Sequence, residues 1–304
     1  MAGTRARLAD TSVTVDARQI ELTSVDDVRR GLAELAPAVV LNCVSHHSPW
    51  ERPSEWMKLV RRAGFAITLP LQAQPAMTVA RAAAELDPAP LVVNACFPDL
   101  VNPLLAALGL PVLCGAGNVA VLAASVRAAL DLEPLRDLRM LAHHVHLHAP
   151  AGPDDEARVW LDGKAVDDVT ALLARQRATP RSELNHVTGY TTALLVQHLL
   201  TGGDLRANLP GPLGLPGGYP VLLRDGALEL DLPDGLDEGA AVAWNQRAAL
   251  ADGGRIDGDR VEFAPRAAQA LEPHLPDLAA GFPVAEVTSV LDRIVELRDR
   301  LRTS

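Results

Sequence analysis

The chain has 304 residues, 48% of them hydrophobic, and a net charge of −10. This length suffices for one large domain or about two ordinary ones. The acidic balance argues against a nucleic-acid partner, because phosphate neutralisation needs a basic surface. We find no signal peptide and no uninterrupted apolar run of the roughly 18 residues that a membrane span needs. We therefore expect a cytoplasmic protein that binds no membrane.

The first half of the chain alternates short apolar runs with helical patterns. This alternation predicts parallel strands joined by helices, in a doubly wound α/β sheet. In such a sheet the carboxyl ends of the strands meet at one edge, where ligands bind. Strands are predicted within 12–22 and at 38–44, 65–69, 91–93 and 111–114, and helices at 23–36, 54–63, 75–86, 100–108 and 119–131.

The pattern changes near residue 138. From there the sequence predicts an α+β arrangement, with hairpin turns at Asp162-Gly163 and Asp225-Gly226. We expect a first domain over 1–138 and a second over 139–304 that covers it. The second domain is predicted to hold strands at 139–148, 156–161 and 219–230, and helices at 188–201, 236–250 and 284–302.

Four histidines lie in the predicted strand 139–148. Alternate residues of a strand share a face, so His144, His146 and His148 are expected on one side. Three imidazoles on one face suit a transition metal, and a single one suits general acid/base catalysis near neutral pH. A polar strand that faces water is the alternative interpretation.

Other polar residues follow the predicted strands. Asn94 ends one strand, and the Gly115-Ala-Gly117-Asn118 segment joins another strand to a helix. These residues suit ligand binding, although Asn and Gly also serve as ordinary helix caps and turns. The loop at His46 could cover the sheet edge, and the helix that contains Tyr190 could face the same cleft.

Several segments, in order over residues 38–250, resemble the lactate/malate dehydrogenase superfamily. The segment Leu141–Pro150 is similar to that family's Val-Gly-x-His-Gly-x-x-x-x-Pro strand and places His144 at the catalytic position. The further similar segments are Val92-Val93-Asn94 with Pro98-Asp99, Val112–Gly115, Gly189–Thr192, Gly218–Val221 and Asp225-Gly226.

The resemblance implies an incomplete Rossmann-like sheet followed by an α+β substrate domain. It also implies an NAD(P)-dependent oxidoreductase that acts on a small hydroxy, keto or amino acid, forms homo-oligomers and uses His144 as general acid/base. By this resemblance NAD or NADP lies near Asn94, Gly115, Gly117 and Asn118, and the substrate near His46, Arg127, His146 and Tyr190. No residue is assigned to a metal.

Two departures from the family leave alternatives open. Ala120 and Ala123 stand where the family has the Asp that orients the histidine and the Arg that holds the substrate carboxylate, and Arg127 follows one turn later. No Gly-x-Gly-x-x-Gly turn precedes residue 12, as if the start of the gene were misplaced or the nucleotide cradle lost. The alternatives are a non-redox or metal-using enzyme on the same scaffold, and a non-catalytic relative that binds a metabolite or a protein.

Overall fold

A three-stranded parallel sheet forms the centre of the first half of the chain. The computed structural model describes residues 14–48, 51–133 and 136–303. Strand β2 (Leu91–Asn94) lies between β1 (Val39–Asn42) and β3 (Cys114–Gly115). Asn42 is level with Asn94, and Asn94 with Gly115. The three strands therefore end at one edge, as the alternating pattern predicts.

The helices of the first half cover this sheet. The predicted helix 75–86 is the second half of one long Ala-rich helix, α3 (Leu69–Ala84). The predicted strand 65–69 is wrong, because Phe65–Thr68 form a 3₁₀ turn and Leu69 begins that helix. In a short, fully buried apolar run, the sequence pattern does not distinguish a strand from a helix. Nor do residues 14–22 form a strand. The helices are α1 (Val25–Leu35), α2 (Glu55–Ala63), α3 (Leu69–Ala84), α4 (Pro98–Ala107) and α5 (Asn118–Ala129).

The second half contains three small antiparallel sheets. Asp162-Gly163 and Asp225-Gly226 make the predicted hairpin turns, and all four residues have positive φ. The sheets are β4 (Leu138–Leu141), β5 (Arg158–Leu161) and β6 (Lys164–Ala165); β7 (Leu205–Pro210), β8 (Gly218–Arg224) and β9 (Ala227–Leu230); and β10 (Gly254–Asp257), β11 (Arg260–Phe263) and β12 (Gly281–Pro283). The helices are α6 (Val169–Ala178), α7 (Arg181–Thr201), α8 (Glu238–Ala251), α9 (Pro265–Leu271) and α10 (Val287–Arg302).

The predicted strand over 139–148 is the main correction in this half. Strand β4 ends at Leu141, and a 3₁₀ turn occupies His144–Leu147. The strand ends because Ala142 pairs with Gly218, and the backbone N–H of His144 then donates to a side chain, Asp99, instead of to a strand. The histidines of this segment therefore do not share one strand face.

The buried cores join the two halves of the chain. The C-terminal elements pack against α2, α3 and α4, so Trp56 and Leu104 lie in one core with Phe282 and Ile294. In a second core, Val93 of β2 packs with Tyr219 of β8. The fold is thus mixed α/β with a parallel sheet. Among the described residues, no helix is long and apolar enough to cross a membrane.

Candidate functional site

A cavity of about 930 Å³ opens at the carboxyl ends of the parallel strands. Cys43 after β1, Cys96 after β2 and Gly117 after β3 line one side of it, and residues of α6 and α7 line the other. This volume is in the range of small-molecule and cofactor sites. The polar groups that could act on a ligand are therefore those that border this space.

His144 borders the cavity with a fixed orientation. Its backbone N–H donates to Oδ1 of Asp99 at 2.9 Å, and its Nδ1 lies 2.7 Å from Oδ2 of Asp252. The ring stacks on Phe65, with centroids 4.7 Å apart, and meets the edge of Phe97. The other ring nitrogen, Nε2, makes no hydrogen bond to a described residue. His144 therefore presents one nitrogen to a ligand while the other is held.

Asp252 is the partner of His144. It is 6% exposed, follows helix α8, and its carbonyl oxygen accepts from the backbone N–H of Ala66. Burial raises the pKa of its carboxyl, but the charge and hydrogen bond of His144 more than offset this, so the pKa lies below its usual value. Nδ1 of His144 donates its proton to the ionised Asp252, so Nε2 is the acceptor whenever the ring carries a single proton.

Two glycines allow Asp252 to reach the site. Gly64 and Gly253 face each other with φ of +103° and +110°. A Cβ on Gly64 would collide with the carbonyl of Asp252, and one on Gly253 would lie 2.7 Å from the carbonyl oxygen of Ala63. Only glycine tolerates both the positive φ and the close approach. The end of α2 and the end of α8 can therefore meet beside His144.

Asp99 connects the histidine to the turn after β3. It is fully buried, and its second oxygen accepts from the side chain of Asn118, which lines the cavity. Asn118 begins α5, and the preceding Gly117 gives that helix no side-chain cap. Gly117, with φ of +124°, also lines the cavity. The predicted cofactor residues Gly117 and Asn118 thus lie where a ligand can reach them.

The other two predicted cofactor residues lie behind the cavity wall. Asn94 is fully buried, and its amide bonds the side chains of Asn42 and Asn102 and the backbone of Cys96. Gly115 lies in β3 against Pro98, where a side chain would collide. Both residues support the turns that border the cavity, and neither lines it.

None of the four predicted substrate residues lines the cavity. The guanidinium of Arg127 donates to the carbonyl groups of Glu133 and Arg136, and Tyr190 is 66% exposed on the outside of α7. His46 bonds Gln74 through its ring. These side chains lie away from the space where contacts with the substrate were expected. A residue can be close to a site in sequence while its helix or loop directs the side chain away from that site.

His146 serves the structure of its own turn. Its Nδ1 faces the backbone of His143, its Nε2 lies 3.0 Å from the carbonyl oxygen of Asp155, and its ring stacks on Trp244. Burial lowers the pKa of His146 to about 4. The ring is therefore neutral and fully engaged. No group of three or more potential metal ligands occurs among the residues that the structure describes.

Several residues of the site were missed in the sequence analysis. Asp252 lies 108 residues from His144 and belongs to no motif, so no local signal identifies it. Gln176 of α6 and Arg181 of α7 line the cavity, and their positions there follow only from the tertiary fold. The cysteines that line it are weak nucleophiles, since burial raises the pKa of Cys43, and that of Cys96 to about 12.

The turns around the cavity bear on the expected dinucleotide. A Rossmann cradle for pyrophosphate is a glycine-rich turn between a strand and a helix. The connection after β1, residues 43–54, and the one after β2, residues 95–97, contain no glycine, and only the turn after β3 has Gly117. The described turns therefore do not fit a glycine-rich pyrophosphate cradle.

Comparison with known proteins adds no identity to this geometry. No protein-family model matches the chain, and no curated protein sequence matches it.

Proposed function

We propose that this protein is an enzyme that moves a proton to or from a hydroxyl or carbonyl group of a small polar acid, with His144 as general acid/base. The observation that carries this proposal is the 2.7 Å contact between Nδ1 of His144 and the buried carboxylate of Asp252, beside a cavity. A base held by a second group, with one nitrogen directed at the ligand space, is the arrangement that proton transfer needs.

The chemistry follows from the hydrogen bonds. Neutral His144 donates from Nδ1 to Asp252, so the lone pair of Nε2 accepts a proton from a substrate hydroxyl. The ring then becomes an imidazolium, which the carboxylate of Asp252 stabilises. In the reverse direction Nε2 returns the proton to the oxygen. Phe65 and Phe97 pack against the ring from two sides. Asp252 is thus a positioning residue that also compensates the transient charge.

A screen of hydroxy, keto and amino acids tests this proposal. His144→Ala should lower kcat/KM by about 10²- to 10⁴-fold, the usual contribution of a general acid/base. Asp252→Asn should also lower it strongly, since an amide can stabilise the wrong tautomer. His46→Ala is the matched control, because this histidine lies outside the cavity, and it should retain full activity. Equal turnover by the His144→Ala and control variants would contradict the proposal.

Oxidoreduction with NAD or NADP is the second candidate. It is favoured by the resemblance to the lactate/malate dehydrogenase superfamily and by a roomy cavity at the carboxyl ends of parallel strands, where nucleotides bind in open α/β sheets. The lack of glycine after β1 and β2 speaks for non-redox chemistry. Calorimetric titration with NADH and NADPH decides between them. Micromolar binding, about −8 kcal/mol, would favour oxidoreduction, and no heat from a folded sample would exclude it.

A further inference from the structure

We propose that Arg181 and Gln176 recognise the substrate, Arg181 through an oxyanion group and Gln176 through a neighbouring hydroxyl or amino group. Both side chains line the same cavity as His144. The inference rests on the proposed function only in taking this cavity as the substrate site. It replaces Arg127, whose guanidinium is directed at backbone carbonyl groups.

Arg181 is a cation at the cavity that forms no ion pair with a described residue. It begins α7, and Nη2 of its guanidinium lies 3.5 Å from Nε2 of His148. Arg181 is exposed and lines the cavity, which places it at the mouth of that cavity. Desolvation lowers the pKa of its guanidinium, against an opposing effect of the charge of Asp252. A bound anion would supply the ion pair and hydrogen bonds that the guanidinium lacks inside the protein.

The neighbouring arginine shows the contrast. Arg177 also lines the cavity, but both oxygens of Glu156 bind it, at 2.8 and 2.9 Å, and it donates to the carbonyl of His146 as well. Its donors are therefore used inside the protein. The planar guanidinium of Arg181 can bind a carboxylate in the same two-pronged geometry, but it has no carboxylate partner among the described residues.

The charges around the cavity agree with an anionic ligand. Although the chain carries a net charge of −10, no Asp or Glu side chain is among the described residues that line this space. Arg177 is neutralised by Glu156, so the remaining fixed charge at the lining is that of Arg181. A carboxylate or phosphate group would meet no acidic side chain in the described lining, and the charge of Asp252, which acts on Arg181, is paired with His144.

Gln176 adds a second recognition element. The side chain is only 5% exposed, and its Oε1 has no hydrogen-bond partner although the residue lines the cavity. A buried polar atom without a partner is destabilising, and a ligand that Oε1 reaches by rotation of the side-chain amide would supply the partner that the protein lacks. An amide oxygen accepts, and its ligand partner must donate. A hydroxyl or amino group next to the acid group of the substrate provides that donor.

Small dianions test the site without any assumption about turnover. Malonate and hydroxymalonate differ by one hydroxyl, and inorganic phosphate represents the other source of an oxyanion. Binding is measured calorimetrically for the wild type, Arg181→Gln, Gln176→Leu and a control, Arg175→Gln, which changes an exposed arginine of α6 outside the cavity. Circular dichroism confirms that each variant is folded.

We expect hydroxymalonate to bind more tightly than malonate to the wild type. Arg181→Gln should weaken both by about 10- to 100-fold, in keeping with hydrogen bonds to a charged group. Gln176→Leu should remove the preference for hydroxymalonate and leave malonate unchanged. Tighter binding of phosphate than of either acid would identify a phosphate ester as the substrate class, provided that it also depends on Arg181.

Equal affinity of Arg181→Gln and Arg175→Gln for all three anions would overturn the proposal, and so would a preference for hydroxymalonate that survives Gln176→Leu. His144→Ala separates this proposal from the proposed reaction. In that variant, Arg181→Gln should still weaken anion binding more than Arg175→Gln does. Anion binding that depends on Arg181, without any turnover that depends on His144, would leave this site standing and contradict the acid/base function.

Discussion

The ion pair between Arg177 and Glu156 offers a test of the structure that needs no substrate. The two side chains are 9% and 7% exposed. Arg177 also donates to the carbonyl of His146, so the pair connects α6 to the turn that carries His144. Thr170 and the backbone N–H of Ala157 donate to the same carboxylate. The change Arg177→Met removes the cation and leaves a carboxylate inside the protein.

The expected cost of Arg177→Met is large. Removal of one partner from a buried ion pair destabilises a protein by about 3–5 kcal/mol, because the remaining charge is uncompensated. In Arg177→Met with Glu156→Gln, that charge is gone and the amide oxygen can still accept from Ala157. The free energy of unfolding of this double variant should therefore lie at least about 1 kcal/mol above that of Arg177→Met alone.

Urea denaturation followed by circular dichroism measures these differences at pH 7. Arg175→Met is the control, since this arginine is exposed on the same helix, and it should cost less than about 0.5 kcal/mol. The reasoning is refuted if Arg177→Met is as stable as this control, or if the double variant is less stable than Arg177→Met. Either result would mean that the pair is solvated rather than buried.

Three further measurements test individual side chains. Burial lowers the pKa of His47 and His146 to about 4 from 6.5, so only the unfolded chain takes up these protons as the pH falls. The contribution of these two neutral rings to the free energy of unfolding is fully present above pH 6.5 and is lost as the pH falls toward 4, by up to about 1.4 kcal/mol per pH unit for each ring. His146→Gln should reduce this dependence on pH in urea titrations. Iodoacetamide at pH 8 should label the exposed Cys43 before the other two thiols, and mass spectrometry would reveal any other order. Arg127→Gln and Tyr190→Phe should leave kcat/KM within about twofold once a substrate is known, whereas a larger loss would return them to the site.

The sheet and the hairpins could be predicted because their signals are local. The apolar runs that become β1 and β2 each follow a proline, and each strand ends at an asparagine. β2 is largely buried, as such a run predicts, whereas Leu41 of β1 is 37% exposed. Asp162-Gly163 and Asp225-Gly226 are the residue pairs that two-residue hairpin turns require. In each case the information lies within a few neighbouring residues.

The site could be predicted only in part, because it depends on distant segments. His144 was identified, but the turn around it is set by the side chain of Asp99 and the bridge to Gly218. Neither leaves a mark in the pattern of 139–148, which alternates like a strand. The partner of the histidine was sought on α5, at Ala120, whereas Asp252 provides it from the end of α8. A single sequence does not contain that pairing.

The contact of Gly64 with Gly253 also has a consequence for the order of folding. It lets Asp252 close a loop of more than one hundred residues onto His144, and long loops close late because of their entropy cost. The parallel sheet, whose strands are nearer in sequence, can form before that closure. During refolding, far-ultraviolet ellipticity should therefore recover before any activity that depends on His144. The recovery of that activity would follow the docking of the C-terminal half rather than the formation of the parallel sheet.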